Sequence, residues 1–177
     1  MMTTMMTEHL QSRYFNPALY SGAIVDVDRL TVLIWNLVGQ LVGYQVYRPD
    51  CSKNHLFNPR DQRYFTFVSR FGGTTPALAV WGLETLLPYS PVFICEGIFD
   101  ACRLHWFGIP AIAALTSDPK HLRSWLACLP NRKIAVCDGD VAGRKLAKYG
   151  DASIMLPDGA DIGSLTSSEF EHLFLKK

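Results

Sequence analysis

The sequence predicts an α/β protein in which a small mixed α+β subdomain precedes a mainly parallel, Rossmann-like sheet with helices on both faces. Two short apolar runs in the second half each end in a carboxylate followed by glycine, at Glu96 and at Asp138. Each run leads into residues with helical spacing, which is typical of a buried strand that enters a helix. Alternation of such strands and helices favours parallel strands joined by right-handed crossovers.

Residues 1–22 predict a frayed or loosely docked N-terminal segment with a turn favoured by an Asn-Pro pair, which Tyr14, Phe15 and Tyr20 could still hold against the rest of the protein. Residues 30–35 and 41–47 are rich in β-prone side chains and flank a short turn. They therefore predict a β-hairpin with Gly39 at positive φ. This hairpin belongs to the predicted mixed subdomain, residues 23–90.

A polar loop follows the hairpin and carries cations beside aromatic rings. The cations include Arg48, Lys53 and Arg63, and Tyr64 comes directly after the last of them. Cations interleaved with aromatic residues can neutralise phosphates and stack bases, so the loop is a candidate nucleic-acid surface. A solvated loop beside a few core aromatic residues fits the same pattern.

Residues 91–177 form the predicted second domain, which a glycine-rich connection at residues 71–76 precedes. Ser117 or Asp118, followed by proline, predicts the N-cap of a helix in this domain. In order, the predicted elements are a helix at 98–107, a strand at 111–115, a helix to residue 129, a strand at 134–137, a helix at 143–148, an edge strand at 153–156 and a closing helix at 164–175.

The carboxylates at the strand ends are expected to meet in space. Groups just past the carboxyl ends of neighbouring parallel strands face one crevice, where ligands of open α/β sheets bind. Glu96, Asp138 and Asp140 hold such positions. Taken singly, the Asp-Gly-Asp segment also fits an ordinary turn, and Glu96 with Asp100 also fits charges at a helix N-terminus.

The order of these acidic motifs resembles a Toprim domain, the catalytic module of bacterial-type primases, topoisomerases and some nucleases. Three segments narrow the resemblance to primases, whose Glu-Gly-x-x-Asp, Asp-x-Ala-Gly-Arg and Leu-Pro-Asp-Gly-x-Asp motifs are similar to Glu96–Asp100, Asp140–Arg144 and Leu156–Asp161. Ile162 stands where a proline is usual in the third motif. The departure concerns the local turn more than the chemistry.

The resemblance implies the RNA polymerase core of a bacterial or phage-type DNA primase. Such a core joins ribonucleotides into short RNA primers on a single-stranded DNA template, with NTPs as substrates. The chain resembles this core alone, and nothing in it resembles the zinc module or the helicase-interaction domain of full-length primases. We therefore expect a replicative helicase or a separate template-recognition subunit as a partner, and the compactness suggests a phage or mobile-element replication protein.

Divalent metal ions suit this chemistry. Mg²⁺ held by oxygen ligands neutralises phosphate charge and makes a 3′-hydroxyl more nucleophilic. We predict Glu96, Asp138 and Asp140 as catalytic residues and a pair of Mg²⁺ or Mn²⁺ ions as the cofactor. Crowded carboxylates raise one another's pKa until a metal neutralises them. The predicted metal ligands are Glu96, Asp100, Asp138, Asp140, Asp158 and Asp161.

Further cations are candidates for nucleotide or nucleic-acid contacts. Arg144 and Lys145 lie early in a predicted helix, where a positive charge is poorly placed for the helix dipole, and this favours a phosphate-facing role. Arg63 before Tyr64 resembles the basic residue before a tyrosine that faces nucleic acid or nucleotide in the primase core. The predicted binding residues are Arg48, Lys53, Arg63, Tyr64, Arg144 and Lys145.

Composition restricts the class of protein. The chain has 177 residues, is 19% charged and carries a formal net charge of +1, so it is globular without a strongly basic balance. The chain has five cysteines, an odd number, and no close Cys-x-x-Cys pair. This favours reduced thiols and therefore a cytosolic compartment, which for a phage protein is the host cytoplasm. No secretory signal or apolar run of about 18 residues is present, so we expect a soluble protein without a membrane partner.

Other functions use the same residues. A Toprim nuclease would cut with the same carboxylates, although the third motif and the upstream hairpin favour the primase interpretation. A non-catalytic nucleic-acid-binding replication subunit that needs a partner is the second alternative. Topoisomerase activity is disfavoured because no lone tyrosine with a surrounding cleavage domain is evident. The glycine pair at 72–73 lacks a following Gly-Lys-Ser/Thr, which disfavours a P-loop motor.

Overall fold

The computed structural model describes residues 2–36, 38–53, 57–71, 75–76 and 78–175. These residues form two compact units, Met1–Ala79 and Val80–Lys177, here called the first and second units. Val80 belongs to the core of the second unit, and Trp81 pairs with Ala113. The structure thus divides the chain before Val80, between the connection at residues 71–76 and the predicted start of the second domain at Pro91. The glycine pair at 72–73 lies outside the described residues.

The N-terminal segment is docked on the first unit rather than frayed, and Phe15, one of the anchors that the sequence offered, is buried. Helix α1 spans Met2–Ser12, and a short 3-10 helix spans Pro17–Leu19. The side chains of Leu10 and Phe15 are completely buried. Burial of one such side chain stabilises a protein by roughly 1.5–3 kcal/mol, which is enough to hold a short helix in place.

The first unit contains an antiparallel sheet of four strands in the order β1-β2-β3-β4. The strands are β1 (Ala23–Val25), β2 (Leu30–Trp35), β3 (Leu41–Tyr47) and β4 (Tyr64–Val68), followed by a two-residue pair, β5 (Arg70–Phe71) and β6 (Thr75–Pro76). The predicted hairpin is confirmed, since β2 pairs with β3 and Gly39 has φ +75°. Alternate side chains of β2, namely Leu30, Val32 and Ile34, are buried, as expected for a sheet with one covered face.

The second unit contains the predicted parallel sheet, in the order β10-β9-β7-β8. Its strands are β7 (Val92–Cys95), β8 (Ala111–Ala113), β9 (Lys133–Cys137) and β10 (Ala152–Met155), and every pairing is parallel. The crossovers contain α2 (Ile98–Trp106), α3 (Arg123–Cys128) and a 3-10 helix at Gly143–Tyr149. The prediction of an α/β fold with a parallel sheet is confirmed.

Helices cover both faces of this sheet. On one face, Ile94 lies in a core cluster with Leu126 of α3 and Leu146 of the 3-10 helix. The neighbouring residue Phe93 faces the other way, and its ring centroid lies 5.8 Å from that of Phe174 in the C-terminal helix. Successive side chains of a strand point to opposite faces, so one strand holds both layers together.

Several predicted element types and bounds differ from the structure. The helix after β9 is 3-10 rather than α, and the predicted strand at 111–115 ends at Ala113 because Leu115 has φ +62°. The closing helix is divided into a 3-10 turn at Ile162–Ser164, α4 at Ser167–Phe170 and a π-helical turn at Glu171–Leu175. None of the helices in the described ranges combines the length and apolar character that crossing a bilayer requires.

The predicted N-cap at Ser117 or Asp118 is wrong. The 3-10 turn before α3 begins after Pro119 without a side-chain cap. Asp118 instead accepts a hydrogen bond of 2.5 Å from the hydroxyl of Tyr149, and Lys120 Nζ lies 3.5 Å from its other oxygen. Its carboxylate is therefore used in a tertiary contact between the two crossovers on one face of the sheet.

Candidate active site

The candidate site lies where the order of strands reverses. β7 and β9 are neighbours at the centre of the sheet, and from them the chain proceeds outward to β8 on one side and to β10 on the other. The carboxyl ends of these two strands form the topological switch point, where ligands bind in open α/β sheets. Glu96 directly follows β7, and Asp138 directly follows β9.

Four of the predicted carboxylates interact electrostatically in the structure. Burial, followed by the charges of Asp138 and Asp140, raises the pKa of Glu96 to about 7. Burial, followed by the charges of Asp161 and Asp140, raises the pKa of Asp138 to about 6. Carboxylates that share a half-buried site disfavour one another's charged form. Glu96, Asp138, Asp140 and Asp161 therefore form one cluster, here called the acidic cluster.

Gly139 joins the two loops that carry the aspartates. Its N–H donates to Ala160 O at 2.9 Å, and its carbonyl accepts from Gly159 N at 2.8 Å. A Cβ atom on Gly139 would lie 1.7 Å from the carbonyl oxygen of Pro157. Only glycine fits at this position, because the two backbones are in contact. The Asp-Gly-Asp sequence thus places Asp138 beside the loop that ends at Asp161.

Gly143 has a similar role within the loop after β9. Its N–H donates to Asp140 Oδ1 at 2.6 Å, and a Cβ atom on it would lie 2.5 Å from Asp138 O. The N–H of Arg144 also donates to the carbonyl of Asp140, at 3.3 Å. The Asp-x-Ala-Gly-Arg segment therefore folds back on itself and orients Asp140 at the start of the 3-10 helix.

Two of the predicted ligands, Asp100 and Asp161, also cap local structure. Asp100 Oδ2 accepts from Gly97 N at 3.2 Å and so caps α2, which is the structural role that the sequence left open for it. Asp161 Oδ1 accepts from Ser164 N at 2.7 Å and caps the 3-10 turn that follows. Asp158 is exposed in the turn between β10 and Asp161. Glu96, by contrast, makes no such capping contact among the described residues.

The chemistry of the acidic cluster fits a hard divalent cation. Oε1 of Glu96 is buried, and no donor among the described residues lies within hydrogen-bonding distance of it. An unsatisfied buried carboxylate oxygen is costly, and a cation would satisfy it. Oxygen ligands alone suit Mg²⁺ or Mn²⁺. In their present positions, no three His, Cys, Asp or Glu side chains of the described ranges are close enough together to hold a metal ion.

The raised pKa values predict a pH-dependent stability for the metal-free protein. The pKa of Glu96 rises from an ordinary 4.5 to about 7, and that of Asp138 from 3.8 to about 6. Between roughly pH 4 and 7 the folded state therefore binds more protons than the unfolded state, and the contribution of these two groups to stability falls as the pH rises.

We expect Glu96→Gln to remove much of this dependence. Without metal, the melting temperature of the wild type minus that of Glu96→Gln should decrease from pH 5 to pH 8. Addition of Mg²⁺ at pH 8 should raise the wild-type melting temperature more than that of the variant. A difference between the two proteins that is the same at both pH values would contradict the assignment. Differential scanning calorimetry provides the measurement.

In the first unit, two of the predicted cations support the loop itself. Arg48 Nη1 donates to Arg60 O at 2.8 Å, and Arg63 Nε donates to Cys51 O at 2.9 Å. These bonds use part of each guanidinium to hold the polar loop together. Lys53 is exposed on the same loop. Lys53 and Tyr64 are therefore the predicted binding residues of this unit with the most accessible side chains.

Tyr64 belongs to a cluster that sequence reasoning found only in part. Its ring lies 5.0 Å from that of Tyr47, and its hydroxyl accepts a hydrogen bond of 2.7 Å from Arg13 Nη1. His9 Nε2 is 2.8 Å from the hydroxyl of Tyr47. We call His9, Arg13, Tyr47 and Tyr64 the tyrosine cluster. Arg13 and His9 were missed because the N-terminal segment was expected to be loosely docked.

The cations of the second unit follow the acidic cluster directly in the chain. Arg144 and Lys145 are exposed on the 3-10 helix that begins at Gly143. The hydrogen bond from Arg144 N to Asp140 O places the start of this helix against the Asp-Gly-Asp loop. Two exposed positive charges therefore lie in the first turn of the helix that follows the Asp-Gly-Asp loop.

No family model matches the sequence, and no curated protein does. Solved structures do match. The catalytic core of E. coli primase is 20% identical over 84% of this chain and 52% of that one, with a TM-score of 0.56. The primase fragment of the bacteriophage T7 primase-helicase protein is 16% identical over 94% and 69%, also with a TM-score of 0.56. This chain has the fold of primase catalytic cores.

The predicted Toprim α/β fold is thereby confirmed. A DNA primase domain from Pseudomonas aeruginosa is also similar, at 22% identity over 80% of this chain and 47% of that one, with a TM-score of 0.54. The chain spans about half the length of the E. coli and Pseudomonas structures. At these identities the likeness establishes the fold alone.

Proposed function

We propose that this protein is the catalytic core of a primase, which joins ribonucleotides on a single-stranded DNA template in a metal-dependent reaction. The observation that carries the proposal is the acidic cluster at the switch point of a sheet with the primase-core fold. A purely structural cluster would be expected to pair its buried carboxylates with donors. Glu96 Oε1 has no such donor among the described residues, as a ligand site requires.

The proposed reaction forms one bond and breaks another. The oxygen of a 3′-hydroxyl attacks the α-phosphorus of an NTP, the bond to the β-phosphate oxygen breaks, and pyrophosphate leaves with the electron pair. The hydroxyl proton must be accepted during the attack. Glu96, at the carboxyl end of β7, would accept this proton as general base where it does not ligate a metal ion.

Mg²⁺ or Mn²⁺, when bound, would neutralise the phosphate charge and increase the acidity of the hydroxyl. We propose Glu96, Asp138 and Asp140 as the central ligands of a pair of ions. Asp161 lies in electrostatic contact with Asp138 and would add to this set. Asp158, on the same turn, and Asp100, on the first turn of α2, complete the proposed ligands.

Template and substrates are proposed from the same evidence. One similar structure is a DnaG primase catalytic domain bound to ssDNA, and another is a fragment of a primase-helicase. By analogy we propose ssDNA and NTPs as ligands of this chain, with a helicase or a template-recognition subunit as a partner. The tyrosine cluster and Lys53 would bind nucleic acid in the first unit, and Arg144 and Lys145 would bind phosphates in the second.

A single assay tests the proposed activity. The purified protein is incubated with ssDNA, labelled NTPs and Mg²⁺ or Mn²⁺, and the products are separated on a denaturing gel. We expect labelled ribonucleotide chains that depend on the template and on the metal. Shortened DNA without RNA products would indicate the nuclease alternative. Binding of ssDNA without synthesis or cutting, under all conditions, would indicate a non-catalytic subunit.

Tyr64→Ala is expected to weaken ssDNA binding. Tyr64 is 36% exposed, and its contacts with Tyr47 and Arg13 hold the ring in place, so we expect the exposed part of the ring to contact a base. Loss of one stacked base costs about 1–3 kcal/mol, or roughly 5- to 150-fold in affinity. Fluorescence anisotropy with a labelled oligonucleotide, at two salt concentrations, measures the change.

Two variants make this test specific. Tyr64→Phe keeps the ring and should retain most of the affinity, whereas Tyr89→Ala removes a ring that is 94% exposed in the second unit and should have little effect. Equal affinities for Tyr64→Ala and Tyr89→Ala would contradict a stacking role for Tyr64.

A further inference from the structure

A buried arginine contacts the turn that follows Asp161. Arg103 lies in α2 and is only 2% exposed. Its Nη1 donates to Ile162 O at 2.6 Å and to Gly163 O at 3.2 Å, and its Cζ lies 4.9 Å from the centroid of the Phe170 ring. A charged side chain is rarely buried to this degree unless it has partners. Arg103 therefore connects the first crossover helix to the turn at 162–163.

The sequence of this turn explains why such a contact is needed. The turn reads Asp161-Ile162-Gly163-Ser164, with Ile162 at the position where the similar primase motif has a proline. Proline would restrict φ at the first position of the 3-10 helix, whereas isoleucine followed by glycine leaves the backbone freer in the unfolded chain. Ordering this turn thus costs more conformational entropy, which tertiary contacts must offset.

The contacts of Arg103 restrain the part of the backbone that presents Asp161. The two carbonyls that accept from Arg103 belong to the two residues after Asp161. On the other side, the turn is held by the bond from Gly139 N to Ala160 O, at 2.9 Å. Asp161 therefore lies between two anchors, one on the Asp-Gly-Asp loop and one on α2.

We propose that Arg103 is a positioning residue, which holds Asp161 at the acidic cluster through the backbone of the 161–164 turn. The part of this proposal that concerns metal binding rests on the proposed function. Arginine suits the role because one Nη atom donates to both carbonyls while the rest of the guanidinium lies over an aromatic ring. Lysine could reach as a point charge but lacks this planar geometry.

The first test measures the turn itself, without metal. Hydrogen exchange of the segment 157–165 is compared in the wild type, Arg103→Met, Arg103→Lys and Leu104→Ala. Leu104 is completely buried on the same helix, so its truncation matches the loss of packing without removing the carbonyl contacts. We expect Arg103→Met to accelerate exchange of this segment about tenfold or more beyond Leu104→Ala, with Arg103→Lys in between. Equal exchange in Arg103→Met and Leu104→Ala overturns the proposal.

The second test measures the consequence for metal binding. Residues that orient metal ligands typically contribute about 10- to 100-fold in affinity. We therefore expect Mn²⁺ to bind Arg103→Met at least about tenfold more weakly than Leu104→Ala, by isothermal titration calorimetry. If Arg103→Met does not fold, Arg103→Lys takes its place in both tests. If the wild type binds Mn²⁺ and the Arg103 variant binds it with the same affinity, the proposed link between Arg103 and the metal site is overturned.

The two proposals fail in different ways. A wild-type protein that binds no Mn²⁺, with or without NTP, overturns the proposed metal-dependent function. The positioning role of Arg103 is then decided by hydrogen exchange alone, since that measurement needs no metal.

Discussion

Replacement of Asp138 by asparagine is expected to reduce RNA synthesis by about 10³-fold or more, which corresponds to roughly 4 kcal/mol of transition-state stabilisation. Asp138 follows the central strand β9 and is in electrostatic contact with Asp140 and Asp161. Asparagine has nearly the same shape but supplies no negative charge to a divalent cation. The loss should therefore appear in kcat, measured by primer synthesis with saturating NTPs.

The same substitution should leave the fold intact or stabilise it. The raised pKa of Asp138, about 6, means that its charge opposes folding at pH 8 in the absence of metal. The melting temperature of Asp138→Asn at pH 8 should thus equal or exceed that of the wild type. Glu171→Gln, at an exposed carboxylate of the C-terminal helix, is the matched control and should change neither property. Activity of Asp138→Asn within tenfold of wild type would exclude Asp138 as a metal ligand.

Gly139→Ala is expected to damage the site through the backbone alone. A Cβ atom at this position would lie 1.7 Å from Pro157 O, so the two acidic loops must move apart. Backbone cannot yield as a flexible side chain does, and we expect a loss of stability of about 3 kcal/mol or more. Separation of Asp138 from Asp161 should also lower Mn²⁺ affinity. Urea unfolding and calorimetry measure the two effects.

Gly159→Ala separates this clash from ordinary glycine strain. Gly159 belongs to the same pair of loops and has φ +75°, but a Cβ atom there would meet nothing within 4 Å. Its replacement should cost only about 1–2 kcal/mol, the penalty for a left-handed conformation. Equal losses of stability in the two variants would show that the contact between Gly139 and Pro157 does not limit the site.

The central part of the site could be predicted from sequence because its signals are local. Short apolar runs that end at Glu96 and Asp138 predict buried strands, and the alternation with helices predicts parallel neighbours. In such a sheet, residues at adjacent carboxyl ends must share a crevice, however far apart they are in the chain. Glycine at position 139 is consistent with a tight turn, but its contact with Pro157 involves a different strand end and was not predictable from spacing.

Other features depend on which surfaces pack together. Burial of Leu10 and Phe15 holds α1 in place. The sequence around these two residues has no strong hydrophobic periodicity and contains a turn signal, so this docking could not be predicted. Arg13 was therefore not expected to reach Tyr64. The helix after β9 has a helical pattern, yet the contacts of Gly143 with the Asp138 backbone accompany a 3-10 rather than an α conformation.

By itself, the sequence determined the alternation of strands and helices in the second unit, the β-hairpin with its glycine turn, and the positions of the carboxylates relative to strand ends, because hydrophobic periodicity and turn chemistry act over a few residues. Only the tertiary structure decided which carboxyl oxygen is buried without a donor, which loops interlock at Gly139, and which carbonyls Arg103 holds. These features depend on contacts between residues that are distant in the chain, and such contacts exist only after the helices and strands have packed.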